Sequence, residues 1–285
     1  MRVTAVIFFL FVIICLAIPP VVQADLNNGL VGRWTFDEMQ GAVAHDASGN
    51  GRDGTLMGKN GIPVWTIADC KINGCLAFDG VDDYVKVSNV PVVTPADNYS
   101  VAFWMKPLQA DWNGAISFLD GASWGIYGSH GSKAFLYTYT GRTGAANQYF
   151  SSQSAVPLGQ WTHYVLTKQG HVYSWYINGV LDAKQDKTLS GDVTLNTGAV
   201  WNIGFNYSKN TNALLDDLRV YNRPLMFSEI VKLANPGAVA DPPVITKVWP
   251  ASVLPSWTRY THLEVTTDEP AWCHASQTPN VNFDD

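Results

Sequence analysis

Carboxylate side chains are the first groups in this 285-residue sequence that could do chemistry. The loop DASGNGRDG, Asp46–Gly54, offers oxygen ligands of the kind that bind Ca²⁺. An EF-hand is excluded, because Met57 stands at position twelve, where that loop needs a bidentate Glu. Two interpretations stay open. Either the loop is a Gly-rich turn whose side chains bond their own backbone, or it helps to hold a calcium ion together with Asp37 and Asp216.

A catalytic serine or histidine has no suitable sequence context here. Gly121 to Gly125 matches the G-x-S-x-G pattern of serine hydrolases, yet that pattern needs a strand-to-helix elbow, and strand-like segments flank it. His163 stands among apolar residues of a strand-like segment, which is typical of a hydrogen-bonded core histidine. His130 and His171 fall in predicted turns, where solvation explains them.

A glycosidase would need two carboxyl groups ~5–9 Å apart across a cleft. Adjacent strand residues point to opposite faces, so the pair Asp216-Asp217 is split across the sheet, and Asp82-Asp83 lies in a turn. No Glu is paired with a second acid at alternating positions of a central strand; the Glu residues are Glu38, Glu229, Glu264 and Glu269. We therefore predict that this chain is not an enzyme. The open alternative is the binding module of a truncated polysaccharide-degrading enzyme.

Aromatic side chains in loops and on one sheet are candidates for sugar binding. Aromatic rings can stack on sugar rings, and amides can bond sugar hydroxyls. The predicted ligand-binding residues are Trp112, Trp124, Tyr127, Tyr137, Tyr139, Asn147 and Tyr149, with Gln148 beside them. The alternative is that these rings fill the core. Several of them exposed in one concavity would favour a glycan ligand, and a flat surface would favour a spacer domain.

The stretch from Gln160 to Lys184 predicts consecutive antiparallel strands. Aromatic and β-branched residues alternate through it, Gln169-Gly170 interrupts it, and Asn178-Gly179 is the strongest short hairpin signal in the chain. Both faces of these strands are largely apolar. We expect such strands to be central in a sheet, with a second sheet on one side and a partial cover or a groove on the other.

Short strands separated by turns continue along most of the chain, without long helical periodicity. Many strands without crossover helices predict an all-β, two-sheet antiparallel β-sandwich of the jelly-roll type. A brief helix should follow Arg223-Pro224 and place Leu225, Ile230 and Leu233 on the core. The predicted strands are Leu30–Phe36, Cys75–Phe78, Asp83–Val87, Tyr99–Met105, Ala115–Leu119, Trp124–Tyr127, Ala134–Tyr139, Gln160–Thr167, Val172–Ile177, Val200–Gly204 and Leu214–Tyr221.

Composition limits the choice of partners. A formal net charge of −6 offers no basic surface for nucleic acids or anionic membranes. Only 15% of the residues are charged, and the chain has 24 Gly and 11 Trp, which suits a β-sandwich with tight turns better than a helical protein.

The N-terminal segment predicts export. Arg2, an apolar run that ends at Ile18, and a short-residue site that ends at Ala24 are the features of a signal peptide. We therefore expect cleavage after Ala24 and a secreted, extracellular or cell-surface product. An uncleaved anchor is the alternative, although the run is shorter than the ~20 residues of a spanning helix.

Cys70 and Cys75 predict a disulfide that agrees with export. They flank a turn-forming tetrapeptide that could bring two strand ends within bridging distance. A metal pair is disfavoured, because two further Cys or His ligands at useful spacing are missing nearby. Closing so short a loop contributes only about 2 kcal/mol, so the bond should pin a hairpin. Cys273 is left unpaired.

Six motifs in register resemble one known family. They are GLVGRWTFDE, HDASGNGRDGTL, LAFDGVDDYVKV, YSVAFWMKP, QWTHYVLTK with WYINGVL, and LDDLRVYNRPL. Over residues 25–236 the chain resembles the laminin-G-like, concanavalin-A-like jelly-roll domains of secreted bacterial proteins. The resemblance implies two packed antiparallel sheets, often a structural calcium ion, and a role in adhesion or glycan binding. Asp37 and Asp216 would then bind calcium between the first and last strands, with Asp46 and loop carbonyls completing the site and Asp79 in reserve.

The segment after Pro236 differs in composition. Residues 237–243 have the composition of a linker, and residues 244–285 resemble the opening strands of an immunoglobulin-like or fibronectin-like module, at 244–248, 260–266 and 271–275. Such a module needs about 90–100 residues, so we expect a truncated product.

These features together predict a secreted, non-catalytic carbohydrate-binding or adhesion domain that serves a larger extracellular protein. The expected partner is a polysaccharide or a cell-surface glycan, and the expected cofactor is structural Ca²⁺. A protein-interaction or spacer domain of an adhesin is the alternative. Nucleic acids, and membranes after signal cleavage, are not expected as partners.

Overall fold

The computed structural model describes residues 25–88, 90, 98–109, 116–119, 123–129, 133–139, 148–186, 200–206, 209–236, 245–249 and 264–267. The predicted signal peptide (1–24), the predicted linker (237–243), Trp112, Asn147 and the predicted strand at 271–275 lie outside these ranges.

Twenty strands and one helix make up the described elements. In chain order they are β1 (Leu30–Trp34), β2 (Val43–Ala44), β3 (Gly54–Met57), β4 (Val64–Thr66), β5 (Cys75–Asp79), β6 (Tyr84–Val87), β7 (Tyr99–Pro107), β8 (Ile116–Leu119), β9 (Ser123–Ser129), β10 (Lys133–Tyr139), β11 (Gln148–Ala155), β12 (Thr162–Gln169), β13 (Val172–Ile177), β14 (Val180–Asp186), β15 (Val200–Ile203), β16 (Phe205–Asn206), β17 (Lys209–Asn210), β18 (Asn212–Tyr221), α1 (Phe227–Ala234), β19 (Ile245–Trp249) and β20 (Glu264–Thr267).

Sheet I has the strand order β14-β13-β12-β7-β18-β5-β4, and β1 also pairs with β18. All of these pairings are antiparallel. β18 has two partners along one side, because Asn212–Leu215 pair with β5 and Leu218–Tyr221 pair with β1. The register against β7 shifts between Asp216 and Arg219, and Asp217 there adopts a φ of 43°. This bulge therefore lies where β18 changes partners.

Sheet II has the strand order β11-β10-β9-β8-β15-β6-β3-β2, again with antiparallel pairings. No parallel pair joins any two of the strands described above. The prediction of an all-β, two-sheet antiparallel sandwich is confirmed. Within the described ranges, no helix has the length and apolar character needed to cross a membrane.

Large aromatic side chains fill the space between the sheets. Trp34 of sheet I meets Trp201 of sheet II edge to face, with ring centroids 6.1 Å apart. The indole N–H of Trp175 donates to the carbonyl oxygen of Phe150 across the core at 3.1 Å. Both kinds of contact fix how the two sheets stack, since a buried indole needs apolar neighbours and one hydrogen-bond acceptor.

Helix α1 covers part of the outer face of sheet I. Leu225, Ile230 and Leu233 are buried against the sheet, as predicted, and pack with Val165 and Tyr221. The helix starts at a capping contact in which the Met226 amide donates to the Glu229 carboxylate. The apolar outer face of β12 and β13 is thus explained by a helix that covers it.

The stretch 160–184 is central only in part, because β12 and β13 are interior strands of sheet I, as predicted, and β14 is not. β14 is an edge strand, and β7 is the middle strand. The apolar character of both faces comes from α1 on one side and the core on the other. The hairpin prediction is confirmed, since Asn178 and Gly179 have φ values of 50° and 82° between β13 and β14.

Several short or polar strands were not predicted from the sequence, namely β2, β3, β4, β11, β16 and β17. Five of them are two to four residues long, and the sixth, β11 with QYFSSQSA, is polar. β19 and β20 pair with each other close to two of the strands predicted after the linker. The immunoglobulin-like character of that segment stays a prediction.

One side of the sandwich is closed by a carboxylate. Asp182 of β14 accepts hydrogen bonds from the backbone N–H groups of Gln153 and Ser154 in β11, at 2.6 and 2.9 Å. Edge strands β14 and β11 belong to different sheets, so this contact joins sheet I to sheet II at their rims.

Candidate functional site

The loop 46–53 is held by hydrogen bonds to its own backbone. Asp46 Oδ1 accepts from the N–H groups of Arg33 and Ser48 at 3.0 and 2.9 Å, and Oδ2 accepts from the Arg52 N–H at 3.0 Å. Burial would raise the pKa of Asp46, but these bonds and one from the Ser48 side chain outweigh it and lower the pKa. The carboxylate is therefore ionised and already engaged, as the Gly-rich turn interpretation expects.

A disulfide between Cys70 and Cys75, with Cα atoms 5.5 Å apart, confirms the predicted pairing. We call residues 69–75 the disulfide loop. Its Gly74 N–H donates to Asp37 Oδ1 at 2.8 Å. The loop thereby contacts the segment that follows β1.

The disulfide loop also binds Asp216 on β18. The N–H groups of Lys71 and Ile72 donate to Asp216 Oδ2 at 3.2 and 2.7 Å. Burial raises the pKa of Asp216 to about 7, and the nearby charges of Asp217 and Asp37 add to the rise. Asp37 and Asp216, far apart in the sequence, are thus brought together beside the disulfide.

Calcium would fit two of the three predicted ligands. Asp216 Oδ1 is buried without a hydrogen-bond partner in the described part of the molecule, and the neighbouring Asp37 carboxylate supplies the second anionic oxygen donor. Asp46 is held in its own loop, and the described residues contain no cluster of three or more His, Cys, Asp or Glu arranged for a metal. Asp79, the reserve ligand, accepts from the Val81 N–H at 2.7 Å.

Asp217, beside Asp216, forms a buried ion-pair network that links β1 to β18. Its carboxylate binds Arg33 Nε at 2.9 Å and Arg219 Nη2 at 2.7 Å. Burial opposes ionisation, yet the two guanidinium groups outweigh it and lower the pKa of Asp217. The environments of these two adjacent aspartates therefore shift their pKa values in opposite directions, upward for Asp216 and downward for Asp217.

A row of polar side chains crosses sheet I beneath the disulfide loop. His163, Trp104 and Asp216 are register partners on β12, β7 and β18, and they are 2%, 3% and 1% exposed. His163 Nδ1, Trp104 Nε1 and Asp216 Oδ1 are buried and have no hydrogen-bond partner among the described residues. We call these three residues the polar row.

Burial is the largest of the effects that lower the pKa of His163 to about 3. The charges of Arg219 and Lys71 lower it further, against the opposing effect of Asp217. His163 is therefore neutral near pH 7 and packs its ring against Trp104 at 5.0 Å between centroids. Its burial agrees with the predicted core role, whereas the hydrogen bond expected for a core histidine is missing at Nδ1 within the described structure.

Five of the predicted sugar-binding residues lie on three neighbouring strands of sheet II: Trp124 and Tyr127 on β9, Tyr137 and Tyr139 on β10, and Tyr149 on β11. In the register, Tyr137 pairs with Tyr149, and Phe135 pairs with Tyr127. Trp112 and Asn147 lie outside the described ranges. The strands thus bring most of the predicted set onto one region.

Ser123, the serine of the G-x-S-x-G match, begins strand β9, which runs into a hairpin with β10. No helix follows it before β10, so the nucleophile elbow of serine hydrolases is not formed at this point.

The polar row and the role of the disulfide loop were missed by the sequence analysis. Register pairing between β12, β7 and β18 joins residues about 50 to 110 positions apart, and no periodicity in the sequence marks such a row. The one available signal was an Asp-Asp pair in an apolar strand, which is rare unless the carboxylates have specific partners.

Residues 79–231 match the family model described as the concanavalin A-like lectin/glucanases superfamily. No curated protein shows a significant match.

Solved structures share the fold. Domain 4 of AbnA, a GH43 extracellular arabinanase from Geobacillus stearothermophilus, in complex with arabinotriose, is 23% identical with a TM-score of 0.59, and the match covers 72% of this chain and 98% of that one. The binding domain of Paraclostridial Mosquitocidal Protein 1 is 16% identical with a TM-score of 0.58 and coverage of 74% and 53%. The binding domain of Botulinum neurotoxin DC, in complex with rat synaptotagmin II, is 16% identical with a TM-score of 0.53 and coverage of 74% and 52%. This chain thus matches about half the length of the two toxin domains.

Proposed function

Because this chain belongs to the concanavalin A-like lectin/glucanases superfamily, we propose that it is a secreted, non-catalytic carbohydrate-binding domain. In this proposal it attaches a larger extracellular protein to a polysaccharide or a cell-surface glycan. The structure of the arabinanase domain in complex with arabinotriose supports a sugar as the ligand class.

The observation that carries the proposal is the register of β9, β10 and β11. Ile126 and Phe150 are buried, and both pair with Leu136. Strand alternation places positions 127, 135, 137, 139 and 149, all aromatic, on the sheet face opposite to Ile126 and Phe150. We call these five positions the aromatic platform. Position 124 falls on the same face as Ile126, so we expect Trp124 to contribute to the core rather than to the ligand.

Sheet I offers less room for a ligand on its outer face. Helix α1 covers one part of that face, and the disulfide loop covers the polar row. The outer face of sheet II, with its aromatic platform, is therefore the surface we propose for the glycan. Stacking on such a face gives modest affinity, because each contact is offset by desolvation.

Buried carboxylates support a binding role over hydrolysis. A glycosidase needs an acid and a second carboxylate that both face the substrate. In the described residues Asp217 and Glu229 are held by guanidinium groups, and Asp83 and Asp216 accept backbone N–H groups. They stabilise the fold, and the aromatic platform lies on the other sheet.

Calcium, in this proposal, binds between Asp37 and Asp216 and neutralises two carboxylates that repel each other. The ion would only compensate the negative charges of Asp37 and Asp216, and loop carbonyl oxygens would complete its coordination. The ion would stabilise the end of β1 against β18, far from the aromatic platform.

Affinity electrophoresis of the full chain on polysaccharide gels tests the sugar-binding role. We expect retardation by at least one polymer without release of reducing ends, and Tyr137→Ala should weaken binding by about tenfold, which corresponds to one lost stacking contact. The matched control is Phe227→Ala, an exposed aromatic residue at the start of α1 that packs near Tyr176 of sheet I.

Three outcomes would contradict the proposal. Release of reducing ends that disappears when one Asp or Glu is mutated would show an enzyme. Equal binding by Tyr137→Ala and Phe227→Ala would remove the aromatic platform from recognition. Failure to bind any polysaccharide, together with capture of an extracellular protein receptor, would favour the adhesin alternative.

A further inference from the structure

We propose that the disulfide loop is a redox-controlled cap: the Cys70–Cys75 bond keeps the loop closed over the polar row, and its reduction opens the loop to water and proteases. This inference rests on the contacts of residues 69–75 and is independent of the sugar-binding role.

The disulfide loop makes contacts with several separate elements. The Asp69 carbonyl accepts from Trp161 Nε1 at 2.6 Å, and the Asp69 carboxylate pairs with Lys106 of β7. Lys71 Nζ lies 4.1 Å from the centre of the Trp104 ring. The Lys71 and Ile72 amides bind Asp216, as described above. The conformation of this short loop therefore determines whether the polar row is covered.

The closed loop contacts the polar row through the Lys71 and Ile72 amides on Asp216 and through Lys71 Nζ over Trp104. Against these contacts, one atom of each residue in the row lacks a hydrogen-bond partner among the described residues, and water could hydrate those atoms once the loop lifts. Closure therefore depends on the loop's own contacts and also on restricting its open conformations. A covalent link across a sequence separation of 5 residues does this, because it removes most of the conformations that a free loop would gain.

Reduction proceeds by thiol–disulfide exchange with a dithiol reductant. Two electrons and two protons pass to Cys70 and Cys75, the S–S bond becomes two thiols, and the reductant becomes a disulfide. Cys70 is half-buried and Cys75 is buried, so attack begins at the Cys70 sulfur. The loop can then adopt the extended conformation that a protease needs.

Lys71 makes the change measurable, because trypsin cleaves after lysine. In the oxidised protein its backbone is bent within the disulfide-closed loop and bonded to Asp216, and in the reduced protein it is free to extend. We expect trypsin to cut after Lys71 roughly tenfold or more faster after reduction, since local cleavage follows the population of the open loop. Trp104 should show a red-shifted emission at the same time.

The experiment compares the oxidised full chain with the same sample treated with a dithiol reductant, both in chelator so that no cation holds the loop. Lys71→Gln should abolish the new cut, and Cys70→Ser/Cys75→Ser should be cut without reductant. Trp104→Phe together with Trp161→Phe, the two indoles that contact the loop, should remove the emission change, which assigns it among the 11 Trp residues. The rate of cutting after Lys59, in an exposed turn, should be the same in both redox states, so this cut serves as the control for protease activity.

Three results would overturn the proposal. One is an equal rate of cutting after Lys71 in both redox states. Another is cutting throughout the core on reduction, which would mean global unfolding instead of a lifted cap. The last is a disulfide that resists the reductant in the folded protein while the double serine variant remains uncut.

Discussion

His163 is a buried imidazole that the folded protein keeps neutral. Its pKa falls from 6.5 to about 3, so the unfolded chain binds a proton over this range and the folded chain does not. Stability must then decrease as the pH falls below 6.5, with a slope of up to about 1.4 kcal/mol per pH unit. Asp216 acts in the opposite direction, because its raised pKa favours the folded state as the pH falls below about 7.

The first prediction isolates the His163 contribution by mutation. His163→Phe keeps a ring against Trp104 and removes the titrating group, so its free energy of unfolding should depend less on pH between 6.5 and 4 than that of the wild type. Urea unfolding at several pH values measures the slopes. The matched control is His171→Asn, which changes an exposed turn residue outside the core. Parallel slopes for His163→Phe and wild type would contradict a buried neutral His163.

At the scale of elements, α1 and the β13–β14 hairpin support each other. Gly179 has a φ of +82°, and a Cβ atom there would lie 3.2 Å from Ala234 Cβ at the end of α1. Gly170, in the preceding turn, has a φ of +55° and open space around it. Both glycines meet the backbone demand of a tight turn, but only Gly179 also lets a helix approach closely.

The second prediction separates these two effects. Gly170→Ala should cost about 1 kcal/mol, because a non-glycine residue is strained at positive φ. Gly179→Ala should cost about 1 kcal/mol more, since α1 must also move away from the hairpin. Thermal or urea unfolding of both variants provides the comparison. Equal losses would mean that α1 does not rest on the hairpin.

Strand content could be predicted from the sequence where alternation was strong, as in β12 and β13, and where Asn-Gly fixed a turn. The polar strand β11 could not be predicted, because nothing in QYFSSQSA distinguishes an edge strand from a loop. The order of strands in sheet I depends on β18 pairing with β7 and β5, contacts between distant segments that local patterns do not encode. The disulfide was predictable because both cysteines lie within one turn.

The candidate site was predictable in part. Aspartates in apolar strand contexts directed attention to Asp37 and Asp216, which the structure places in contact with the same disulfide loop. Asp46 was chosen because its Gly-rich loop is similar to an oxygen-rich calcium loop, and its oxygens are used by its own turn. The polar row depends on three strands in register, so only the folded sheet reveals it.

At the scale of the whole molecule, the two ends of the domain meet. β1 and β18 pair, and Asp37 and Asp216 lie beside that junction. The third prediction is that calcium raises the melting temperature and that chelation lowers it by several degrees, because a ligand that binds only the folded state stabilises it. Scanning calorimetry with and without chelator measures the effect.

Variants at two carboxylates control the calcium prediction. Asp216→Asn should remove the effect of chelation, while Asp79→Asn, at the reserve position, should retain it. Asn at position 216 still accepts the Lys71 and Ile72 amides, so this variant should fold. A melting temperature that chelation leaves unchanged in the wild type would contradict the calcium site.

The contact of Asp182 with β11 has a consequence for solubility. Edge strands with free N–H groups are templates on which another chain can add a strand, and this is a common start of fibrillar assembly. Asp182 occupies two such N–H groups and places a negative charge at the rim. The fourth prediction is that Asp182→Ala self-associates at concentrations where the wild type stays monomeric, as seen by light scattering, whereas Asp182→Glu keeps the charge and suppresses association.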